Sequence, residues 1–512
     1  MKGSDDLFEL IKSLSKSEKR YFKLSSALQS GDKNYLLLFD VIDKQTRLKN
    51  GQEEYNEQVV KSKLKNTSFI KTLSLQKQRL YNSIKRSLRN YHEKSHGDIQ
   101  LKNLIHDVKI LHQKGLLKQC KKTLQQAKKL AHKYDNMPVL IEINEWKRRV
   151  WVHQSLHEKA SYDITKHIGE QQQFIEQYAN ICEYNNLSLS YSGLAFERAY
   201  ARSKHDLIKL EKIIRHPLLA NMEKAQTNRA KILFLSIHAT HSRFMDDLKN
   251  ACKYNKEITE LMELHQMVNE NLNIYVSALV KYVQALIESK EYNDCFKVMK
   301  KLTKTLETYP GIMPAYEFMA FTFEAWLYCM TGLFEQGVKL INKFDEKIKP
   351  IIAKTKNQNE FALYFHFTCI YFGAKNYKKA LYWTNYITNH NEKEVRGDIL
   401  SFTKLLTLII HFELNNLELI EYLVKSTYRF LYKRNHLFKF ETIVLHFIRN
   451  KLPKADDQKQ LVGAFTILRN ELLEVMKDPY EKKVLNYFDF ISWLDSKIEN
   501  RSFAEVVKSK VK

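Results

Sequence analysis

A six-residue pattern recurs about every 40 residues over much of this chain. It consists of a turn residue, one spacer, an aromatic residue or leucine, two spacers and a small residue. It is found at Gly115–Cys120, Lys290–Cys295, Gly332–Gly337, Lys375–Ala380 and, with a large final residue, at Asn415–Ile420. The last four copies follow at intervals of 42, 43 and 40 residues. Such a period predicts stacked helix pairs, because a single pair cannot bury its own apolar face.

The pattern assigns packing roles within each helix pair. We expect the aromatic residue or leucine to fill the gap between the two helices, and the small residue to let them approach closely. The predicted packing residues are Leu117, Cys120, Tyr292, Cys295, Phe334, Gly337, Tyr377, Ala380 and Leu417. Weaker turn signals near Ser155, Ser203 and Arg243 have compatible spacing, so about eight helix pairs are expected between residues 101 and 435.

Composition agrees with an all-α fold. The 512 residues include 13 glycines and 7 prolines, fewer than hairpin-rich sheets or doubly wound folds usually need. Apolar residues recur at three- and four-residue steps, as in Leu279, Val283, Leu286 and Ile287, which is the spacing of one helix face. The sequence therefore predicts amphipathic helices joined by short turns.

The run Lys375-Asn376-Tyr377-Lys378-Lys379-Ala380-Leu381, preceded by Tyr371, resembles the tetratricopeptide repeat family. The chain departs from that family in its period of 40–43 residues instead of 34, in mostly lacking the proline that ends the second helix, and in Thr368, which stands where glycine is expected. The resemblance implies a right-handed superhelical solenoid of antiparallel helix pairs. It also implies a concave groove that holds a peptide or protein.

Three domains are predicted. Residues 1–100 lack the repeat and form a basic helical domain, with helices at about 5–13, 15–29, 33–47, 54–65 and 67–92. Ser15 and Glu18 have the spacing of a capping box, while Gly31 and Asn50-Gly51 mark turns. Residues 101–435 form the repeat array, and residues 436–512 form helices that cap it.

The charge is unevenly distributed. The net charge is +25, and residues 61–133 hold 19 Lys and Arg against three acids. In the helix predicted at 67–92, an apolar face is opposed by a cationic face. The apolar face comprises Phe69, Leu73, Leu80, Ile84, Leu88 and Tyr91. The residues predicted to contact an anionic partner are Lys61, Lys63, Lys65, Lys71, Arg79, Lys85, Arg86 and Arg89.

Charge pattern alone leaves three interpretations of this face open. It could bind nucleic acid, in a variant of the helix-turn-helix arrangement, or another anionic partner, or it could simply be solvated. A second basic segment, Lys19-Arg20-Tyr21-Phe22-Lys23, interleaves cations and aromatic rings. Helical spacing favours Phe22 as core with solvated cations over a base-stacking site.

Aromatic residues are dense between 309 and 386. We expect either that some of them line a binding groove or that they fill wide gaps between helices. The residues concerned are Tyr309, Tyr316, Phe318, Phe321, Phe323, Tyr328, Phe361, Tyr364, Phe365, Phe367, Tyr371, Phe372, Tyr377, Tyr382 and Tyr386.

No motif for catalysis, a cofactor or a metal stands out. The chain lacks a phosphate loop, a dinucleotide fingerprint, a nucleophile elbow and H-E-x-x-H. The histidine pairs His153/His157 and His238/His241 have ligand-like spacing but no evident third ligand. The six cysteines are scattered, which is typical of a reducing compartment. With neither a signal peptide nor a membrane-spanning stretch recognised, the sequence predicts a cytoplasmic protein.

Two functions follow as hypotheses. The first is a non-enzymatic scaffold whose repeat groove holds a protein or peptide. The second is a nucleic-acid-associated regulator whose basic N-terminal domain contacts DNA or RNA. An enzyme ranks behind both, and a deep pocket with convergent carboxylates or histidines would favour one.

Overall fold

The structure is a computed structural model. It describes residues 3–27, 34–46, 55–65, 67–93, 97–155, 163–196, 210–309, 314–355, 360–390, 395–434, 437–452, 457–478 and 481–511. Within these ranges the chain is helical and forms no β-strand, which confirms the predicted all-α class for the described residues. The chain divides into two compact units, residues 1–179 with 265–270, and residues 180–264 with 271–512.

The first unit contains eight helices and the beginning of a ninth within the described residues. They are α1 (Gly3–Ser13), α2 (Lys16–Ala27), α3 (Asn34–Gln45), α4 (Glu57–Lys63), α5 (Leu73–Tyr91), α6 (Gly97–Gln113), α7 (Leu117–Lys133), α8 (Met137–Ser155) and α9 (Ile164–Phe196), which runs on into the second unit. Helix α5 packs against α1, α2 and α3 around one apolar core. Helices α6, α7 and α8 then pack in chain order.

The long basic helix predicted at 67–92 exists in two parts. A 3₁₀ turn at Ser68–Thr72 leads directly into α5. The predicted capping box is also present: Ser15 N–H donates to Glu18 Oε2 at 2.7 Å, and Glu18 N–H donates to Ser15 Oγ at 3.2 Å. The turns predicted at Gly31 and Asn50-Gly51 lie outside the described residues.

The second unit continues with α10 (Asn228–Phe244), α11 (Leu248–Leu264), α12 (Leu272–Glu288), α13 (Tyr292–Thr308), α14 (Pro314–Thr331), α15 (Phe334–Ile341), α16 (Phe344–Lys347), α17 (Lys349–Thr355), α18 (Glu360–Gly373), α19 (Tyr377–Thr388), α20 (Gly397–Glu413), α21 (Leu417–Lys433), α22 (Lys439–Asn450), α23 (Gln458–Val475), α24 (Phe490–Ile498) and α25 (Phe503–Lys510). Most consecutive helices pack together, and α12 with α14, α14 with α18 and α18 with α20 pack across successive pairs. This is the sequential packing of a helical solenoid.

The turn residue of the repeating pattern has a specific backbone role. Gly115, Lys290, Gly332, Lys375 and Asn415 all have positive φ, between 57° and 72°. In each case the next amide closes a hydrogen bond to a carbonyl five residues before it, as Asn376 N–H does to Tyr371 O at 2.8 Å. This Schellman arrangement ends the first helix of a pair. The second helix begins two residues after the turn residue.

The aromatic or leucine position of the pattern begins the second helix of each pair, and its side chain is buried or half-buried in four of the five copies. Leu117, Tyr292, Phe334, Tyr377 and Leu417 are the first residues of α7, α13, α15, α19 and α21. Tyr292 and Phe334 are buried, and Leu117 and Tyr377 are half-buried. Leu417 is 54% exposed, so its side chain does not fill a gap between helices as expected.

The small residues lie where helices approach closely. Cys120, Cys295 and Ala380 are fully buried. The Sγ atoms of Cys120 and Cys295 donate to carbonyls twelve residues earlier, Val108 O at 3.7 Å and Val283 O at 3.8 Å. A Cβ at Gly337 would lie 2.8 Å from Ile370 Cγ2, so no larger side chain fits there without displacement.

Candidate functional site

The eight cations predicted to contact an anionic partner are all exposed. Lys61 Nζ forms an ion pair with Glu57 Oε1 at 2.9 Å, and Lys85 Nζ lies 5.4 Å from the centre of the Tyr81 ring. The others form no ion pair with any described residue; they are Lys63, Lys65, Lys71, Arg79, Arg86 and Arg89. Cations that form no ion pair with a described residue can bind an external anion without first giving up such a partner.

The opposite face of the basic segment packs into the first unit. Phe69, Leu73, Leu80 and Ile84 are buried, and Leu88 is half-buried. At the end of α5, Tyr91 is 38% exposed and packs edge-on against Tyr21, with ring centres 5.2 Å apart. The helix therefore presents its cations to solvent because its apolar side is held by the core.

One cation of α5 has a different role that charge counting missed. Lys77 is 6% exposed, its Nζ lies 2.7 Å from Glu57 Oε2, and it lies 4.9 Å from the Tyr55 ring centre. Hydrogen bonds from Lys77 and then Lys61 lower the pKa of Glu57 to about 2. The position could have been found from spacing, because Lys77 follows Leu73 by four residues and precedes Leu80 by three.

The second basic run is mostly structural. Phe22 is buried in the core of the first unit. Lys19 Nζ lies 2.7 Å from Asp43 Oδ1, and Lys23 Nζ lies 2.6 Å from Asp40 Oδ1. With Tyr21 packed on Tyr91, this segment offers no stack of free rings.

The cations between 101 and 133 are divided. Lys102 pairs with Asp98 at 2.7 Å, and Lys128 pairs with Glu170 at 2.9 Å. Helix α7 contains no acid, and several of its exposed lysines form no ion pair with a described residue: Lys118, Lys122 and Lys129. The positive charge of the sequence is thus partly neutralised and partly presented to solvent.

The dense aromatic region of the second unit is mainly core. Its buried members are Phe318, Phe321, Phe361, Tyr364, Phe365, Phe367, Tyr371 and Phe372. Several of them pack edge-on, as Phe321 does with Phe367 at 6.4 Å between ring centres. Filling wide gaps between helices therefore accounts for most of the rings, whereas Tyr382 and Tyr386 on α19 remain exposed.

The end of the chain packs against several helices of the second unit. We call residues 481–511 the return segment. Trp326 Nε1 donates to Asn486 O at 3.2 Å, and Cys369 Sγ donates to Tyr487 O at 3.8 Å. The ring of Tyr487 stacks on Phe402 with 4.2 Å between ring centres. The segment thus lies across α14, α18 and α20 and does more than cap the end of the array.

Side-chain contacts fasten the return segment further along. Glu413 Oε1 accepts from Trp493 Nε1 at 2.8 Å, and Glu413 Oε2 accepts from Lys497 Nζ at 2.6 Å. Phe503 stacks on Phe334 with 5.5 Å between ring centres. These contacts join residues far apart in sequence, and sequence periodicity gave no signal for them.

A cavity of about 260 Å³ remains beside Tyr487. Its walls come from successive helices of the array: Gln284 and Glu288 of α12, Phe323 and Trp326 of α14, Ala362 and His366 of α18, and Arg396 and Ile399 beside and within α20. Glu288 is held by Arg243, whose Nε and Nη2 donate at 2.9 and 2.7 Å. Burial, followed by the nearby Arg396, lowers the pKa of His366 to about 3, so its ring stays neutral.

A second cavity of about 220 Å³ lies towards the beginning of the same unit. Its lining combines apolar side chains such as Ile258 and Ile274 with the polar side chains of Ser236, Asn255, Ser277 and Lys281. Lys281 is exposed at the cavity, and desolvation by the protein around it, followed by the charge of Arg243, lowers the pKa of its ammonium group. Asn255 is buried, and its Oδ1 has no hydrogen-bond partner among the described residues.

The histidine pairs do not form a metal centre in the part of the chain that the structure describes. His238 Nε2 lies 3.0 Å from Leu219 O, and His241 Nδ1 lies 3.0 Å from Tyr191 Oη. His153 packs edge-on against His112, whereas His157 lies outside the described residues. No group of three potential metal ligands occurs among the residues described.

Among the described residues, no helix combines the length and apolar character that crossing a membrane requires. Comparison with known proteins found no matching family model, no matching curated protein and no matching solved structure.

Proposed function

We propose that this protein is a non-enzymatic scaffold, similar to tetratricopeptide-repeat proteins, that holds a protein or peptide partner on the inner surface of its helical array. The observation that carries the proposal is that this surface already binds a stretch of polypeptide chain, the protein's own return segment. It already accommodates the chain's own residues 485–488 and recognises their main chain, since Trp326 and Cys369 both donate to backbone carbonyls.

Two cavities of the second unit leave room for a partner, and the return segment contributes to the lining of one of them. The one at Tyr487 offers aromatic walls at Phe323 and Trp326 with the polar groups of Gln284 and Glu288. The one at Lys281 offers hydroxyl, amide and ammonium groups. Apolar walls with a few placed polar groups are the usual chemistry of a peptide-binding surface.

The proposal is tested by site-specific photocrosslinking. The photoreactive residue p-benzoylphenylalanine replaces Phe323 or Ser277, which line the two cavities, and Lys304 on the exposed side of α13 as a matched control. We expect the same polypeptide to be captured from both cavities and not from position 304. The proposal fails if the two cavity positions capture no polypeptide beyond those captured at the control.

The specificity of that capture is checked by charge. Lys281→Glu should abolish capture at position 277, because it reverses the one cation that lines that cavity among the described residues. Capture that is indifferent to this change would mean that the crosslinker samples partners in solution.

A second candidate function is nucleic-acid binding by the first unit. The specific observation in its favour is the exposed face of α5, which has no acid along its whole length and several cations with no ion pair to a described residue. Such a face can release counterions from a phosphate backbone.

This candidate is tested by binding labelled single- and double-stranded oligonucleotides across a salt series. Lys85→Glu/Arg86→Glu/Arg89→Glu should weaken binding and flatten the salt dependence. Lys300→Glu/Lys304→Glu/Lys339→Glu carries the same change of charge on exposed residues of the second unit. If both triple variants weaken binding equally, the net charge of the chain is responsible and α5 is not a specific surface.

A further inference from the structure

We propose that the surface formed by the second half of α21 and the facing side of α22 binds single-stranded nucleic acid, with bases stacked on tyrosine rings and phosphates held by arginines. This surface belongs to the second unit and shares no residue with α5 or with the two cavities described above. The proposal therefore stands or falls separately from both functions proposed for them.

Exposed tyrosines are the first line of argument. Tyr422, Tyr428 and Tyr432 on α21 are 71%, 45% and 67% exposed. The rings of Tyr428 and Tyr432 are nearly parallel, inclined by 9° with 6.2 Å between ring centres. These three rings expose apolar surface to solvent and do not contribute to the core, and exposed apolar surface of this kind often marks a binding site. They provide flat faces on which any base can stack.

Positive charge accompanies the rings. A groove of about 330 Å³ between α21 and α22 is lined by Lys425, Tyr428 and Arg429 from one helix and by His446 and Arg449 from the other. Arg429 and Arg449 form no ion pair with a described residue. Guanidinium groups on both walls of a groove suit a phosphate, which each can bind through two hydrogen bonds.

The positions of the acidic residues show which half of α21 can face a polyanion. Glu418 and Glu421 lie in the first half of the helix, and Lys425 Nζ pairs with Glu421 Oε1 at 2.8 Å. From residue 422 to residue 434 the sequence contains no acid. The surface that can receive a polyanion is therefore the second half of α21, which carries the stacked tyrosine pair.

Rings and cations also lie on the same side of the helix. The buried side of α21 consists of Ile420, Val424, Thr427 and Leu431. At 100° per residue, Tyr428, Tyr432, Lys425 and Arg429 follow one another within an arc of about 100° beside that buried side, and Tyr422 and Lys433 lie further round the helix. Tyr422 and Tyr432 are separated by about 15 Å along the helix axis. An acidic peptide would use the cations alone, whereas a nucleic-acid strand uses both kinds of side chain.

The test measures binding of the full chain to fluorescein-labelled oligothymidylate and oligouridylate of roughly 12 nucleotides, a length within the usual site sizes for single strands. A labelled oligoglutamate of similar length serves as the acidic-peptide probe. All variants carry Lys85→Glu/Arg86→Glu/Arg89→Glu as well, so that α5 contributes as little as possible. Anisotropy is recorded between low and physiological salt, and circular dichroism verifies folding.

Arg429→Glu/Arg449→Glu should weaken oligonucleotide binding at least tenfold. Because two phosphate contacts are removed, the slope of log K against log salt should fall in magnitude by about 1.4. Tyr428→Ala should weaken binding by roughly 5- to 150-fold, the range of one lost stacking contact, whereas Tyr428→Phe should retain it. Lys300→Glu/Lys304→Glu, with the same change of charge on exposed residues of α13, should leave binding nearly unchanged.

Several outcomes would overturn the proposal. It fails if neither oligonucleotide binds, if the α13 variant weakens binding as much as the arginine variant does, or if Tyr428→Ala has no effect. It also fails if oligoglutamate binds more tightly than both oligonucleotides and depends on the same arginines, because the surface would then serve an acidic protein. Should the arginine reversal disturb folding, Arg429→Gln/Arg449→Gln replaces it and must give the same direction of change.

Discussion

The end of α18 offers a sharp test of how closely the helix pairs are packed. A Cβ added at Gly373 would lie 2.3 Å from Phe334 Cδ2 and 2.4 Å from two further atoms of the same ring. Gly463 in the middle of α23 is a matched control, since a Cβ there meets nothing within 4 Å. The two substitutions to alanine add the same methyl group to a helix, and we expect them to change stability in opposite directions.

The size of the effect follows from the contact. Ordinary contacts of a Cβ begin near 3.4 Å, so the Phe334 ring must move by about 1 Å. That ring is stacked on Phe503, so its movement pushes against the return segment. Overpacking of this kind costs about 1–3 kcal/mol. Gly463→Ala should gain about 0.5–1 kcal/mol from the helix backbone. The two variants should therefore differ by roughly 1.5–4 kcal/mol.

Urea unfolding followed by circular dichroism measures the two variants side by side. Since a long helical array need not unfold in one step, hydrogen exchange of α15 and α25 amides locates the loss. We expect faster exchange there in Gly373→Ala and unchanged exchange in Gly463→Ala. If Gly373→Ala is as stable as Gly463→Ala, the Phe334 ring is free to move, and its role as a filler between helices is refuted.

Three further predictions concern buried charge. Glu413→Ala should destabilise the second unit by about 3–5 kcal/mol, because Lys497 and Trp493 lose their acceptor; a loss below 1 kcal/mol by urea unfolding would contradict this. Burial, helped by a neighbouring carboxylate, raises the pKa of Glu441 from 4.5 to about 7, so the folded state binds the proton more tightly. Stability should therefore fall by roughly 3 kcal/mol as pH rises from 4.5 to 7, and Glu441→Gln, measured over the same pH series, should flatten that dependence. Lys77→Ala should lower the thermal midpoint through a loss of about 1–2 kcal/mol, since its partner carboxylate stays half-exposed and keeps a second lysine; an unchanged midpoint would show that the buried lysine adds nothing.

The sequence determined the local structure of this protein to a large degree. The turn residues of the repeating pattern are visible in the sequence, and each adopts the left-handed conformation that ends a helix. The capping box at Ser15 and the division of the basic segment into a buried and a cationic face were equally visible. These features depend on hydrogen bonds and side-chain neighbours within about five residues, which is the range that periodicity reports.

Tertiary structure decided what each apolar or charged face meets. Spacing placed Leu417 at a packing position, yet its side chain is 54% exposed. Charge counting gave no sign that Lys77 is enclosed by a carboxylate and a ring. The sequence does not reveal the cationic tyrosine surface of α21, because it gives the order of the tyrosines but not which of their rings the core leaves exposed.

The return segment shows the same limit most clearly. Asn486 meets Trp326 across 160 residues, and Trp493 meets Glu413 across 80. Periodicity reveals that a helix has an apolar face, because that face consists of residues spaced three and four positions apart in the sequence. It does not reveal which distant part of the chain will cover the face. That choice depends on the shapes and polar groups that meet once the whole array has folded.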